Sequence, residues 1–94
     1  MAYFLLLYDV VDNYPEARAP YRPEHLGMAQ AERDAGRLLL AGAYGDPPRG
    51  VAFVFQTDGA QIVEDFAKGD PYVLNGVVKR WRVEPWHVAI GGSS

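Results

Sequence analysis

A chain with two histidines and no cysteine has few groups able to move protons near neutral pH. His25 lies in PEHL (Pro23 to Leu26) and Asp70 opens DPYV (Asp70 to Val73). Each falls in the first turn or cap of an expected helix. A carboxylate that accepts one imidazole N–H fixes the tautomer, leaves the other nitrogen as a base and stabilises the imidazolium that forms. General acid–base help of this kind supplies about 10²- to 10⁴-fold in rate and needs no nucleophile. A plainer reading fits the same residues: Asp70 caps a short helical turn begun by Pro71, and His25 is a polar first-turn residue. A carboxylate has lone pairs for both roles.

Other groups gather around this pair. Tyr8 and Asp9 end an apolar run, so Tyr8 offers a phenol or stays in the core with its hydroxyl at the rim. Asp9 is a second carboxylate or a turn former. Arg22 carries bidentate donors for an anionic substrate group, or makes a surface ion pair. Tyr72 walls the pocket or is simply buried. These four are the candidate substrate-binding residues beside the catalytic candidates His25 and Asp70. His87 reads as a surface or dimer-contact residue. No H-x-x-x-H or similar ligand spacing is present, so neither a metal nor a cofactor is expected.

The elements that must position these residues read strand, helix, strand, strand, helix, strand. The first strand is Tyr3 to Asp9. Asp12 to Arg22 contains Pro15 and Pro20, with Pro23 just beyond, and is expected to be irregular. Helix one runs from Pro23 to Ala35, with Gly36 as its stop. Arg37 to Ala43 and Gly50 to Thr57 form a hairpin around Tyr44 to Arg49. Asp58 and Gln61 resemble a capping box for helix two, Asp58 to Lys68, which Gly69 ends. The last strand runs about Val77 to Val88, ending near Pro85-Trp86. Two strand-helix-strand units around a hairpin predict an α+β, ferredoxin-like βαββαβ domain over residues 1–90 with an antiparallel sheet. Gly91 to Ser94 is expected to be a flexible tail.

The resemblance to a known family rests on spaced motifs covering nearly the whole domain: Tyr8-Asp9, RPEHL (Arg22 to Leu26), GRLLLAG (Gly36 to Gly42), DPYVLNGV (Asp70 to Val77) and VEPW (Val83 to Trp86). Together these resemble the YCII-like family. The resemblance implies a dimeric α/β-barrel fold and a His/Asp site at His25 and Asp70; one relative acts as a dehydrochlorinase on a chlorinated hydroxyhydroquinone. The DPPR turn (Asp46 to Arg49) is shorter than the corresponding loop of the family.

Composition narrows the function classes. Nine Lys plus Arg against twelve Asp plus Glu give a net charge of −3, so there is no basic field for a phosphate backbone and no nucleic-acid partner is expected. Lys79 to Arg82 (KRWR) does not change this, because strand alternation sends Trp81 with Lys79 to one side and Arg80 with Arg82 to the other. The apolar run Tyr3 to Val10 is far too short to span a bilayer and has no basic leader, so the expected location is the cytoplasm, without membrane contact. Both alternating sets of strand one are apolar, and two helices cover one face of a sheet. A homodimer through the other face is therefore expected. The leading functional expectation is a small cofactor-independent enzyme using His25 and Asp70 for elimination, isomerisation or hydrolysis of a small metabolite, aromatic or lactone-like. A non-catalytic ligand-binding or accessory module is the alternative, and a cofactor-free oxygenase a further one.

Overall fold

In the computed structural model, which describes residues 2–92, the chain folds as β1 (Ala2–Val10), α1 (Tyr14–Arg18), a 3-10 turn (Ala19–Tyr21), α2 (Arg22–Asp34), β2 (Leu38–Tyr44), β3 (Gly50–Thr57), α3 (Ala60–Gly69), α4 (Pro71–Leu74) and β4 (Val78–Trp86). The strands form one antiparallel sheet in the order β2-β3-β1-β4. This is the expected α+β, ferredoxin-like arrangement. Of the tail expected at Gly91 to Ser94, Ser93 and Ser94 lie outside the described residues.

The register decides which alternating set becomes core. Leu6 stands between Phe53 of β3 and Val83 of β4, and Tyr8 between Val51 and Trp81. Phe4, Leu6, Tyr8 and Val10 are buried with Val51, Phe53 and Phe55 beneath the helices. The amphipathic α3 adds Val63, Phe66 and Ala67 to the same layer. Leu5 and Leu7 alternate to the other face, opposite Val54 and Ala52 of β3 and Glu84 and Arg82 of β4. Leu40 pairs with Val54 on that open face and is well exposed.

Helix α2 ends as its sequence requires. Gly36 has φ +82, its N–H donates to the Arg33 carbonyl at 3.0 Å, and the Arg37 N–H donates to the Glu32 carbonyl at 3.0 Å. This is the paired closure that a left-handed glycine permits.

Two expectations need correction. Within the stretch Asp12 to Arg22, the residues from Tyr14 onward are helical rather than irregular, because Pro15, Pro20 and Pro23 each fall within the first two positions of a helical segment, where a missing N–H leaves no intrahelical bond unmade. The Asp58/Gln61 capping box does not form. The β3 ladder continues to Thr57, which pairs with Ala2, and α3 starts after Gly59 with no side-chain cap. Gln61 instead donates along the helix to Asp65 at 2.8 Å. The last strand ends at Trp86, opposite Tyr3, at the expected Pro85-Trp86; Pro85 is accommodated because β4 is an edge strand.

Leu6 is fully buried, so Leu6→Ala should lower the free energy of unfolding by about 2 to 5 kcal/mol through lost transfer energy and a residual cavity. Urea denaturation of the two proteins measures the difference.

Candidate active site

Asp70 joins two helices. Its extended backbone (φ −71, ψ 124) ends α3 and starts α4, where Pro71 occupies the first turn. The Tyr72 N–H donates to Asp70 Oδ1 at 2.9 Å, which is the N-cap bond expected of an aspartate in this position. Capping does not exhaust the carboxylate. His25 Nδ1, from a residue 45 positions away in the first turn of α2, lies 2.8 Å from Oδ2 and 3.0 Å from Oδ1. The Tyr8 hydroxyl of β1 donates to Oδ2 at 2.7 Å.

The cap and the dyad therefore coexist on one buried side chain. An ionised carboxylate only accepts, so with Asp70 ionised the imidazole proton belongs on Nδ1 and the Tyr8 hydroxyl must donate. Nε2 is then the basic nitrogen. Among the described residues no fully buried side-chain nitrogen or oxygen lacks a partner, and the His25 ring makes its hydrogen bonds to Asp70 through Nδ1. Nε2 is thus the ring nitrogen that solvent or a ligand can reach.

Aromatic rings hold the imidazole in place. Tyr72 stacks on it with centroids 3.9 Å apart and planes inclined by 10°; Phe53 meets it at 6.0 Å and 66°. Tyr14 packs edge-on to Tyr72 at 6.1 Å, and the Arg18 guanidinium lies 4.8 Å above the Tyr14 ring. His25, Tyr72, Tyr14, Arg18 and Arg22 line a cavity of about 160 Å³ whose opposite wall includes Ala41, Gly42 and Ala43 of β2.

Burial, followed by the charge of Asp70 and the hydrogen bond to it, pushes the Tyr8 phenol far above its usual range. Burial and neighbouring Tyr14 push the Tyr72 phenol up to about 12, while Arg18 and Arg22 pull it down. Both phenols therefore stay protonated at neutral pH.

The structure brings together five of the six candidate residues: His25, Asp70, Tyr8, Arg22 and Tyr72. Asp9 is not with them. Next to Tyr8 in β1, it alternates to the other sheet face, where it accepts from Arg80 Nε at 2.9 Å. Tyr14 and Arg18 also line the cavity, although the prolines around them point to an irregular segment. The signal available was their i,i+4 spacing, which puts both on one side of a helix. Among the described residues there is no cluster of three or more metal-ligating side chains, and no helix is long and apolar enough to cross a membrane.

The topology and the helix-covered sheet define an α+β, ferredoxin-like domain. The YCII-related domain matches residues 1–87, and the chain belongs to that family. Escherichia coli protein YciI is 32% identical over 95 residues, covering 92% of this chain and 96% of its own. Among solved structures, the chain is similar to 5-chloro-2-hydroxyhydroquinone dehydrochlorinase (TftG) of Burkholderia phenoliruptrix in complex with 2,5-dihydroxybenzoquinone. The TM-score is 0.77 at 17% identity, covering 93% of this chain and 95% of that one. It is also similar to a Deinococcus radiodurans protein described as a candidate antibiotic biosynthesis monooxygenase, with TM-score 0.55 and 14% identity over 100% of this chain and 98% of that one. At these identities the two structures speak to the fold.

The raised Tyr8 phenol has a pH signature. An unfolded tyrosine titrates near pH 10, and the folded one holds its proton longer, so the stabilisation is fully present below that pH and is lost as pH rises above it. Between about pH 9 and about pH 11, wild-type stability should fall more steeply than that of Tyr8→Phe, by up to about 1.4 kcal/mol per pH unit above pH 10. Urea unfolding across that range tests it; parallel curves would remove the linkage.

Proposed function

We propose that this chain is a small cofactor-independent enzyme in which His25 Nε2 acts as a general base or acid, oriented by Asp70, on a small aromatic metabolite. The observation that carries the reading is the Nδ1–Asp70 contact at 2.8 Å together with an imidazole that lines a cavity. Elimination, isomerisation and hydrolysis all begin or end with the proton transfer that such an imidazole performs. The dehydrochlorinase of similar fold favours elimination among these. In an elimination a base takes a proton, the electrons it leaves form a double bond and the leaving group departs, and one correctly oriented imidazole supplies that base. Asp70 balances the imidazolium while the proton is held, and Tyr8 and the Tyr72 N–H keep the carboxylate from turning away.

His25→Ala should leave the circular dichroism spectrum intact and lower turnover of a substrate found by screening hydroxylated and chlorinated quinols and aromatic carboxylates by about 10²- to 10⁴-fold. Unchanged turnover would remove the dyad from the mechanism; saturable binding without product in the wild type would favour the ligand-binding module instead.

The working unit in this proposal is a homodimer formed through the open sheet face. Leu5, Leu7, Val54 and the exposed Leu40 lie on the side away from the helices, and large side chains are worth about 1.5 to 3 kcal/mol each when fully buried. Leu5→Asp should give a folded or partly folded monomer in light scattering, whereas Leu6→Asp, aimed into the core, should not fold. A folded wild-type species of 10.4 kDa at micromolar concentration would overturn the dimer.

A further inference from the structure

The cavity beside His25 is asymmetric in charge. Although the chain carries net −3, the side chains lining this cavity include two arginines, Arg18 and Arg22, and no carboxylate. Asp70 sits behind the imidazole, bonded to Nδ1. Elsewhere Arg37, Arg80 and Arg82 pair with Glu32, Asp9 and Glu84, while Arg33 donates to backbone carbonyls and Arg49 lies over the Tyr44 ring. Among the described residues neither Arg18 nor Arg22 has an acidic partner. Each is instead placed by its helix. Arg18 follows Tyr14 by four residues and lies over its ring, while Arg22, His25, Leu26 and Ala29 follow the i, i+3, i+4, i+7 spacing of one face of α2.

The position of the two arginines along the cavity is also defined. Arg18, Arg22 and Leu26 line both this cavity and an open surface depression bounded by Pro15, Ala19 and Pro23. They therefore mark the junction between the interior and solvent. At the other side, Ala41 and Ala43 lie opposite Phe53 and Val51 on the helix-facing side of β2, yet both are exposed. Their short side chains leave the space that larger residues would fill. The cavity measures about 160 Å³, and an engineered apolar cavity of about 150 Å³ holds one benzene ring.

We infer that this cavity takes a single-ring organic carboxylate, with Arg18 and Arg22 binding the carboxylate at the mouth and Ala41 and Ala43 setting the depth open to the ring. The inference deepens the proposed function by giving its substrate a charge and a size, and rests on that reading only in taking the cavity as the substrate site. A guanidinium matches a planar carboxylate with two parallel N–H donors. The positive field of the pair reaches into the site, as its downward pull on the Tyr72 phenol indicates. Neutral rings of the same shape would lack the charge-assisted bonds.

Benzoate and its neutral counterpart benzamide are the probes, and amide chemical-shift titration of the wild type reads their binding. Benzoate should bind about tenfold or more tightly than benzamide. Arg18→Gln and Arg22→Gln should each weaken benzoate by about tenfold and leave benzamide unchanged, with Arg18→Lys and Arg22→Lys recovering part of the loss. Ala43→Leu should weaken both probes; Ala41→Val serves if that variant does not fold. Equal affinities, no shift with benzoate at about 10 mM, or benzoate binding untouched in both glutamine variants would overturn the inference. His25→Ala separates the two readings. Benzoate affinity that persists there while wild-type turnover needs His25 supports both, and turnover independent of His25 sinks the dyad without touching the arginines.

Discussion

A carboxylate sealed from water is costly unless each lone pair it presents is met by a donor, and Asp70 is wholly buried. Its donors come from three directions: the Tyr8 hydroxyl from the central strand, the His25 ring from α2, and the Tyr72 backbone from α4. The network therefore fastens sheet and helices to one another at a single side chain. Removing one partner leaves the others with an under-satisfied buried charge, a larger penalty than the net worth of one hydrogen bond. Fold and site are coupled through this residue.

The aromatic frame extends that constraint into the core. Tyr8 meets Phe53 at 4.9 Å, and Phe53 in turn packs against Phe66 of α3 at 5.5 Å. The imidazole is held between Tyr72 and Phe53, so its orientation follows from packing as well as from Asp70. A base held in one rotamer by its surroundings spends little entropy on alignment. The orientation of the ring is a property of the folded layer.

The two faces of the sheet serve different ends. The helix-covered face carries large apolar residues over most of its area and small ones at Ala41 and Ala43, and the cavity exists where the small ones lie. The opposite face is apolar toward β2 and β3 but carries the Asp9–Arg80 and Arg82–Glu84 pairs along β4. Such exposed pairs add little stability. Their arrangement does give that face a polar margin beside an apolar centre, the composition found at many subunit contacts.

Local chemistry made much of this legible from residues alone. Gly36 predicts the end of α2 because only a left-handed residue completes its closing bonds, and Asp70 before Pro71 predicts a cap because the carboxylate is the nearest acceptor for a free N–H. The apolar runs predict the strands. Where local signals compete, the residues alone mislead: Pro15 and Pro20 hid α1, and the helical reading of Asp58 yielded to a β3 ladder that holds Thr57. Alternation by itself also cannot say which face is covered. Tyr8 and Asp9 are adjacent, and only register and helix placement turn Tyr8 toward Asp70 and Asp9 toward Arg80. The His25–Asp70 contact, the cavity and its two arginines likewise depend on elements distant in sequence. Side-chain type determined what each group could do, and the packing of the sheet against its helices decided which groups meet.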